Sequence, residues 1–187
     1  MLTYPMDVAG LHRDLPICKV HDGLSIAAFV VFGDAELTVA CAKGLLELVS
    51  PDSYDYILTA EAKSIPLIHE MARQSGAKQY LLARKGSKVY LTDAIKVEVR
   101  SITTQRDQTL MLSGADAALM KGKRILIMDD VISTGESLIA LEQLVELAGG
   151  TVSDRIAVLA EGDAANRSDI KFLQKLPLFN ADGSVMG

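Results

Sequence analysis

The stretch from Arg124 to Ser137 constrains the fold of this chain more than any other. It opens with four consecutive apolar residues at 125–128, a pattern typical of a strand buried on both faces of a parallel sheet. Two adjacent carboxylates and a small polar turn at 133–135 follow, and behind the turn apolar residues recur at helical spacing. Strand, acidic pair, turn and helix in this order predict a ligand site at the carboxyl end of a sheet strand, where open α/β sheets bind.

The residue types in this stretch indicate which ligand it could take. Backbone N–H groups at a helix N-terminus bind phosphate, and Gly135 would let an anion approach closely. The carboxylates of Asp129 and Asp130 would repel a phosphate, but they suit the vicinal hydroxyls of a ribose or a hydrated Mg²⁺. A phosphate at one end and a diol at the other describe a ribose 5-phosphate. The alternative is an ordinary strand-to-helix turn with an acidic N-cap.

The whole string resembles the binding motif for 5-phosphoribosyl 1-pyrophosphate (PRPP) of type I phosphoribosyltransferases. That motif has four apolar residues, two acids, two apolar residues and a Ser/Thr-Thr-Gly turn, as this chain has at 125–135. Neither a Walker phosphate loop nor a Gly-x-Gly-x-x-Gly turn occurs in the sequence. The resemblance is to the adenine/xanthine (purine) group. It implies an α/β fold with a mostly parallel central sheet flanked by helices on both faces, a small hood and a flexible β-hairpin flap.

The composition narrows the class of protein further. A length of 187 residues fits a single domain, and a net charge of −5 argues against a general nucleic-acid binder. No apolar run approaches about 18 residues and the N-terminus lacks a basic segment, so neither a membrane span nor a signal peptide is expected. Cys18 and Cys41 lack the spacing of metal ligands and are expected to be reduced core residues, which predicts a cytoplasmic protein.

Patterns along the rest of the chain predict alternating strands and helices between 54 and 160. The predicted strands cover 15–20, 26–32, 56–58, 79–83 and 155–160, with an antiparallel pair within 89–112. The predicted helices follow the N-cap candidates Asp34 and Ser64 and the turn at 135. We therefore expect a core at about 34–160, with the hood formed by about 1–33 and 161–187.

Two further loops carry cations next to predicted strand ends. The loop 59–64 holds Lys63, and the segment 84–88 has three cations around a Gly-Ser turn. Taken alone, these are solvated charges on loops. The resemblance assigns both segments to the pyrophosphate of PRPP, and it implies a cis, non-proline peptide between Glu61 and Ala62. The polar hairpin tip at 103–108 matches the flap, for which an inert tip is the alternative.

The resemblance assigns further roles to individual residues. Asp129, Asp130 and Lys63 are implied to be catalytic, with the two aspartates holding Mg²⁺ through water. The 5-phosphate ligands would be Ser133, Thr134, Gly135, Glu136 and Ser137. The pyrophosphate ligands would be Glu61, Ala62, Lys63, Arg84, Lys85 and Lys88. The flap would present Thr104, Gln105 and Arg106, and the base pocket Phe32, Val131, Glu161 and Gly162. The implied partners are PRPP, a purine base and a second copy of the chain, with no nucleic acid and no membrane.

The purine base is predicted from the end of the last core strand. Relatives that act on 6-oxopurines place a lysine there to bind O6, and the nearest match in this chain is Gly162. The absence of a lysine favours adenine. Arg155 and Arg167 are the cations that could take the place of the lysine at O6, and either of them there would favour a 6-oxopurine instead.

The flap favours the opposite conclusion about the base. Adenine enzymes carry a Glu-Tyr pair there, whereas this chain has Thr104 and Gln105. Two alternatives therefore stay open: a phosphoribosyltransferase for xanthine, hypoxanthine or guanine, and a non-catalytic sensor of PRPP or nucleotides with the same fold.

Overall fold

The computed structural model describes residues 2–86, 89, 92–100 and 107–186. Within these residues fourteen strands and α-helices follow one another along the chain. They are β1 (Thr3–Val8), β2 (Leu11–His21), β3 (Leu24–Ala27), α1 (Ala35–Glu47), β4 (Tyr56–Ala60), α2 (Ile65–Ser75), β5 (Leu81–Lys85), β6 (Ile95–Arg100), β7 (Asp107–Leu112), α3 (Gly114–Met120), β8 (Arg124–Ile132), α4 (Glu136–Leu147), β9 (Thr151–Glu161) and β10 (Lys171–Leu176). None of the helices in this part of the chain is long and apolar enough to cross a membrane.

The central sheet has seven strands in the order β10-β9-β8-β4-β5-β7-β6. The five strands from β10 to β5 are parallel to one another, whereas β7 runs antiparallel to β5 and β6 antiparallel to β7. The predicted, mostly parallel sheet is thereby confirmed. The β6–β7 pair is the antiparallel hairpin expected within 89–112, and the proposed flap residues Thr104, Gln105 and Arg106 at its tip lie outside the described residues.

The strand β8 shows why the apolar run at 125–128 is unbroken. Successive side chains of a strand point to opposite faces of the sheet. Leu126 and Met128 pack into a core with α1 and α2, whereas Ile125 and Ile127 pack into a second core with α3 and α4. All four side chains are buried. Helices therefore cover both faces of the sheet, as expected.

The helix ends follow local sequence signals, with one exception. The side chain of Asp34 accepts a hydrogen bond from the backbone N–H of Leu37 at 2.9 Å, which confirms it as the N-cap of α1. Gly76 ends α2 in the left-handed conformation. Ser64 stands at the N-cap position of α2, but its side chain makes no capping hydrogen bond. The predicted N-cap position is confirmed, while the hydroxyl is used by the acidic pair described below.

The N-terminal strands β1, β2 and β3 form a separate antiparallel sheet. The predicted strand 26–32 is too long, since β3 ends at Ala27. Phe29 and Val31 are buried against the central core without strand partners, which produces the same alternating pattern as a strand. Cys18 is exposed rather than buried; β1 begins opposite Pro16, so beyond that residue β2 pairs with β3 alone.

The C-terminal part of the chain divides between the two sheets. The range 161–187 had been assigned to the hood, but Lys171–Leu176 forms β10, the edge strand of the central sheet, parallel to β9. Beyond it, Phe179 pairs with Ser25 and thereby joins the tail to the N-terminal sheet. The hood contribution of the C-terminus is therefore the segment after β10.

Candidate active site

The predicted loops meet at one edge of the central sheet, because parallel strands end on the same side. A cavity of about 320 Å³ lies between the loops that follow β4 and β8. Its lining residues are Ala60, Glu61, Ala62, Lys63, Ser64, Lys85, Asp129, Asp130, Val131 and Ser137. The structure thus brings together the acidic pair, the 59–64 loop and one residue of the 84–88 segment. Lys88 lies outside the described residues.

The acidic pair is tied together by the hydroxyl of Ser64, which is 1% exposed. Ser64 Oγ lies 2.9 Å from Asp129 Oδ1 and 3.1 Å from Asp130 Oδ1, and it accepts the backbone N–H of Asp130 at 3.0 Å. A serine hydroxyl has one proton, so it donates to one carboxylate at a time. Burial and the neighbouring Asp130 raise the pKa of Asp129 to about 7, while the Ser64 hydrogen bond opposes this rise. Sequence reasoning had missed Ser64 as a site residue.

The cation that compensates Asp130 is Lys63. Its Nζ lies 2.6 Å from Asp130 Oδ2 and donates to the carbonyl oxygen of Phe29 at 3.4 Å. Asp130 is 5% exposed, and its Oδ2 has no conventional hydrogen bond from the described part of the chain. A buried carboxylate needs such a partner. Lys63 therefore faces the acidic pair, and its role toward pyrophosphate stays a prediction of the resemblance.

The two cation-bearing segments are joined through Glu61. Its carboxylate accepts a hydrogen bond from Arg84 Nε at 2.7 Å and another from the backbone N–H of Lys85 at 2.5 Å. The peptide between Glu61 and Ala62 is cis, which confirms the expectation from the family resemblance. Glu61 thus fixes the 59–64 loop to the end of β5, and the Arg84 side chain is engaged by this ion pair.

The turn before α4 forms a smaller cavity of about 110 Å³. It is lined by Asp129, Val131, Ile132, Ser133, Thr134, Gly135, Glu136, Ser137 and Leu138, which include all five predicted 5-phosphate ligands. Gly135 has a φ of +82°, and a Cβ added there would lie 2.7 Å from Nη1 of Arg167. The positive φ favours glycine at this position, and Arg167 lies against this turn rather than in the base pocket.

A third cavity, of about 400 Å³, separates the central sheet from the hood. Its lining residues are Ile26, Ala27, Ala28, Phe29, Val30, Lys63, Val131, Ser133, Glu161 and Leu176. Of the predicted base-pocket residues, Val131 and Glu161 lie on it, whereas Phe32 and Gly162 do not. Phe29 lines the cavity instead, since Phe32 is further along the segment and 50% exposed.

Of the described residues that line this third cavity, two are charged, and one of them is Glu161, which is 7% exposed. Burial raises its pKa above the ordinary glutamate value, while a hydrogen bond from the Ser133 hydroxyl and the charge of Lys63 act in the opposite direction. Neither arginine considered for the base lines the cavity. Arg155 is paired with Glu142, and Arg167 is held by both carboxylate oxygens of Asp169.

The acidic pair is compatible with Mg²⁺. The described residues contain no group of three or more acidic, histidine or cysteine side chains that could hold a metal ion alone. Mg²⁺ commonly keeps several waters and binds one or two carboxylates together with phosphate oxygens of a substrate. Asp129 and Asp130 at the edge of an open polar cavity match that donor set.

Comparison with known proteins establishes the family. The model of the phosphoribosyl transferase domain matches residues 40–181. A hypoxanthine/guanine phosphoribosyltransferase of Methanotorris igneus is 30% identical over 176 residues, which cover 91% of this chain and 87% of the relative. The chain therefore belongs to the phosphoribosyltransferase family, and its relatives of this kind act on purines by their names.

Other relatives match over a smaller share of their length. A hypoxanthine/guanine phosphoribosyltransferase of Methanosarcina barkeri is 30% identical over 69% of this chain, and the match spans 64% of that relative. The corresponding Methanosarcina mazei protein is 35% identical over 58% of this chain and 53% of its own length. The chain thus spans less than two thirds of these two curated relatives.

Among solved structures, the fold is similar to adenine phosphoribosyltransferases. The enzyme of Thermoanaerobacter pseudethanolicus superposes with a TM-score of 0.70 at 21% identity, over 86% of this chain and 95% of that chain. The Saccharomyces cerevisiae enzyme, complexed with adenine and an imino-altritol bisphosphate, gives a TM-score of 0.67 at 21% identity, over 86% and 92%. At such identities the likeness establishes the type I phosphoribosyltransferase fold alone.

Proposed function

We propose that this chain is a purine phosphoribosyltransferase, which transfers ribose 5-phosphate from PRPP to a ring nitrogen of a purine and releases pyrophosphate. The observation that carries the proposal is the arrangement of the three cavities, because Val131 lines all of them. A phosphate site, a diol and pyrophosphate site and an apolar base site therefore meet at one point. PRPP carries its 5-phosphate, hydroxyls and pyrophosphate around one ribose, whose C1 would lie where the base cavity joins the other two.

The reaction requires neutralisation of charge at two places. As the bond from C1 to nitrogen forms and the bond from C1 to the pyrophosphate oxygen breaks, positive charge develops on the ribose and negative charge on the leaving group. Backbone N–H groups at the start of α4 would hold the 5-phosphate, and the acidic pair would accept hydrogen bonds from the ribose hydroxyls. Lys63 and Lys85 line the cavity where pyrophosphate would leave. A Mg²⁺ held by Asp129 and Asp130 through water would supply further positive charge to the pyrophosphate.

Adenine is the base we favour. Among the described residues that line the base cavity, the charged side chains are Glu161 and Lys63, and Lys63 is paired with Asp130. A carboxylate accepts hydrogen bonds from the 6-amino group of adenine but repels the O6 of an oxopurine. Gly162 supplies no cation at the position where 6-oxopurine enzymes have lysine.

A second candidate is hypoxanthine or guanine, which the names of the curated relatives favour. Both bases carry an N1–H that a carboxylate could accept, so Glu161 does not exclude them if O6 points elsewhere. The two candidates differ in which purine reacts, not in the chemistry at C1.

Steady-state assays with PRPP, Mg²⁺ and a panel of purines test both levels of the proposal. We expect kcat/KM for adenine to exceed that for hypoxanthine, guanine and xanthine. The excess can reach ~10⁴-fold where a site binds one substituent by hydrogen bonds. A higher kcat/KM for any 6-oxopurine would contradict the choice of base. PRPP binding without transfer to any purine would instead identify the sensor. A homodimer stays a prediction of the resemblance, to be checked by sedimentation of the purified protein, and a cytoplasmic location stays a prediction from the sequence.

A further inference from the structure

The base cavity and the phosphate turn are connected by a pair of side chains, Ser133 and Glu161. The last registered pair between β8 and β9 is Ile132 with Ala160; Ser133 directly follows the end of β8, and Glu161 is the last residue of β9. The hydroxyl of Ser133 donates a hydrogen bond to the Glu161 carboxylate. Both residues line the base cavity, and Ser133 lines the phosphate cavity as well. The pair therefore lies at the junction where the ribose and the purine would meet.

The proposed reaction leaves a proton that must be removed. A free purine carries one N–H on its five-membered ring, whereas the ribosylated product carries none. The bond from the ring nitrogen to C1 forms, the bond from C1 to oxygen breaks with its electron pair on pyrophosphate, and the N–H proton is left over. An acceptor in the base cavity is therefore required, and Glu161 is the only carboxyl group among the described residues that line it.

We propose that Glu161 accepts the proton that the purine carries on N7, beside its 6-substituent, while N9 attacks C1, and that Ser133 is the positioning residue that holds the Glu161 carboxylate against this edge of the base. This inference rests on the proposed function. The proton moves from nitrogen to a carboxylate oxygen as the new bond forms, and the protonated Glu161 returns it to water after the products leave. No oxidant, reductant or further reactant is needed.

The surroundings of Glu161 suit this role. Burial raises its pKa and so makes the carboxylate a better base than an exposed glutamate, while Ser133 and the charge of Lys63 keep the ionised form accessible. Lys63 is the charged group that faces it among the described lining residues. Because the forward reaction needs the ionised carboxylate, its rate should fall as the pH drops through the pKa of Glu161. The reverse reaction needs the protonated form, so its rate should fall as the pH rises.

The alternative role is recognition alone, in which Glu161 accepts a hydrogen bond from the base without taking its proton. That role predicts a higher KM for the purine with kcat and its pH dependence unchanged. If Glu161 takes the proton, its replacement should lower kcat and should remove the pH dependence of the rate in both the forward and the reverse reaction. The two roles are therefore separable by kinetics.

The variant Glu161→Gln keeps the shape of the side chain and removes its basicity. We expect forward kcat to fall by ~10²–10⁴-fold and the acidic limb to disappear, together with the alkaline limb of the reverse reaction from nucleoside monophosphate and pyrophosphate. Asp163→Asn is the matched control, since this exposed carboxylate lies two residues further and outside the cavity. The control should keep both limbs. PRPP affinity measured by calorimetry should be unchanged in both variants.

The variant Ser133→Ala tests the pair a second way. Loss of its hydrogen bond should move the acidic limb to higher pH with a smaller loss of kcat, and this readout remains decisive even if Glu161→Gln fails to bind PRPP. The inference would be overturned if Glu161→Gln kept its kcat and both limbs of its pH–rate profiles, or if the acidic limb of Ser133→Ala lay at the same pH as in the wild type. In either case an active wild-type enzyme would leave the proposed function standing. A wild-type protein that transfers ribose 5-phosphate to no purine would refute both.

Discussion

Replacing Ser64 with alanine tests how the acidic pair is organised. The Ser64 hydroxyl is buried and lies 2.9 Å and 3.1 Å from the carboxylates of Asp129 and Asp130. It also accepts the backbone N–H of Asp130, but in the variant that N–H would keep a second acceptor, Asp129 Oδ1 at 2.9 Å. The main loss is therefore one donor to a charged group, and such hydrogen bonds contribute about 1.5–3 kcal/mol. We expect the free energy of unfolding to fall by about that amount. The affinity for PRPP with Mg²⁺ should fall about tenfold, because each 1.4 kcal/mol changes a dissociation constant by a factor of about ten.

Urea unfolding and calorimetric titration with PRPP and Mg²⁺ measure the two effects. Ser75→Ala is the matched control, because Ser75 lies at the other end of α2 and its hydroxyl donates to the carbonyl oxygen of Ala72 at 3.3 Å. We expect the control to change stability by no more than about 0.5 kcal/mol. Loss of a helix cap is not a competing explanation, since the Ser64 side chain makes no capping hydrogen bond. Equal stability and PRPP affinity of Ser64→Ala and wild type would refute the bridging role.

Two further substitutions follow from the charges in the site. Asp129→Asn should stabilise the ligand-free protein by about 1–2 kcal/mol at pH 8, because the raised pKa means that the ionised carboxylate is disfavoured in the folded state. This gain in unfolding free energy should grow between about pH 4 and the folded-state pKa of about 7 and vanish below that range, which unfolding measured across pH checks. The affinity for PRPP should fall ~10²-fold, which calorimetry checks. Glu61→Gln removes the ion pair with Arg84 and should weaken product inhibition by pyrophosphate about tenfold while the KM for the base stays unchanged, and an unaltered inhibition constant would contradict its role in fixing the loop.

The parts of the structure that could be predicted are those determined by local pattern. The apolar run of β8 reports burial on both faces, and Asp34 at the start of α1 reports a cap, so each element follows from its own residues. Strands that gain their partners late in the chain were harder. In β10 the residues of Lys171–Leu176 are mostly exposed or half-buried, because an edge strand pairs on one side alone, and its pattern resembles a surface loop.

Side-chain orientation accounts for most of what was missed in the site. Ser64 sits where a capping serine would, and sequence does not indicate whether its hydroxyl turns back to the helix or across to another strand. Glu61 and Arg84 were both assigned to pyrophosphate because the family resemblance assigns their two segments to it. Their ion pair depends on the distance between two loops 23 residues apart in sequence, which local patterns do not specify.

The pairing of Asp130 with Lys63 shows which missing fact would have resolved the site. A buried carboxylate requires a cation, and the sequence offers cations at 63 and at 84–88 without a means to choose between them. The strand order decides the choice, because β4 lies directly beside β8 whereas β5 lies one strand further away. The loop after β4 is therefore the nearer one, and Lys63 reaches Asp130 at 2.6 Å while Arg84 pairs with Glu61. Sheet order, a property of the whole fold, thus determines which of several similar loop cations faces the acidic pair.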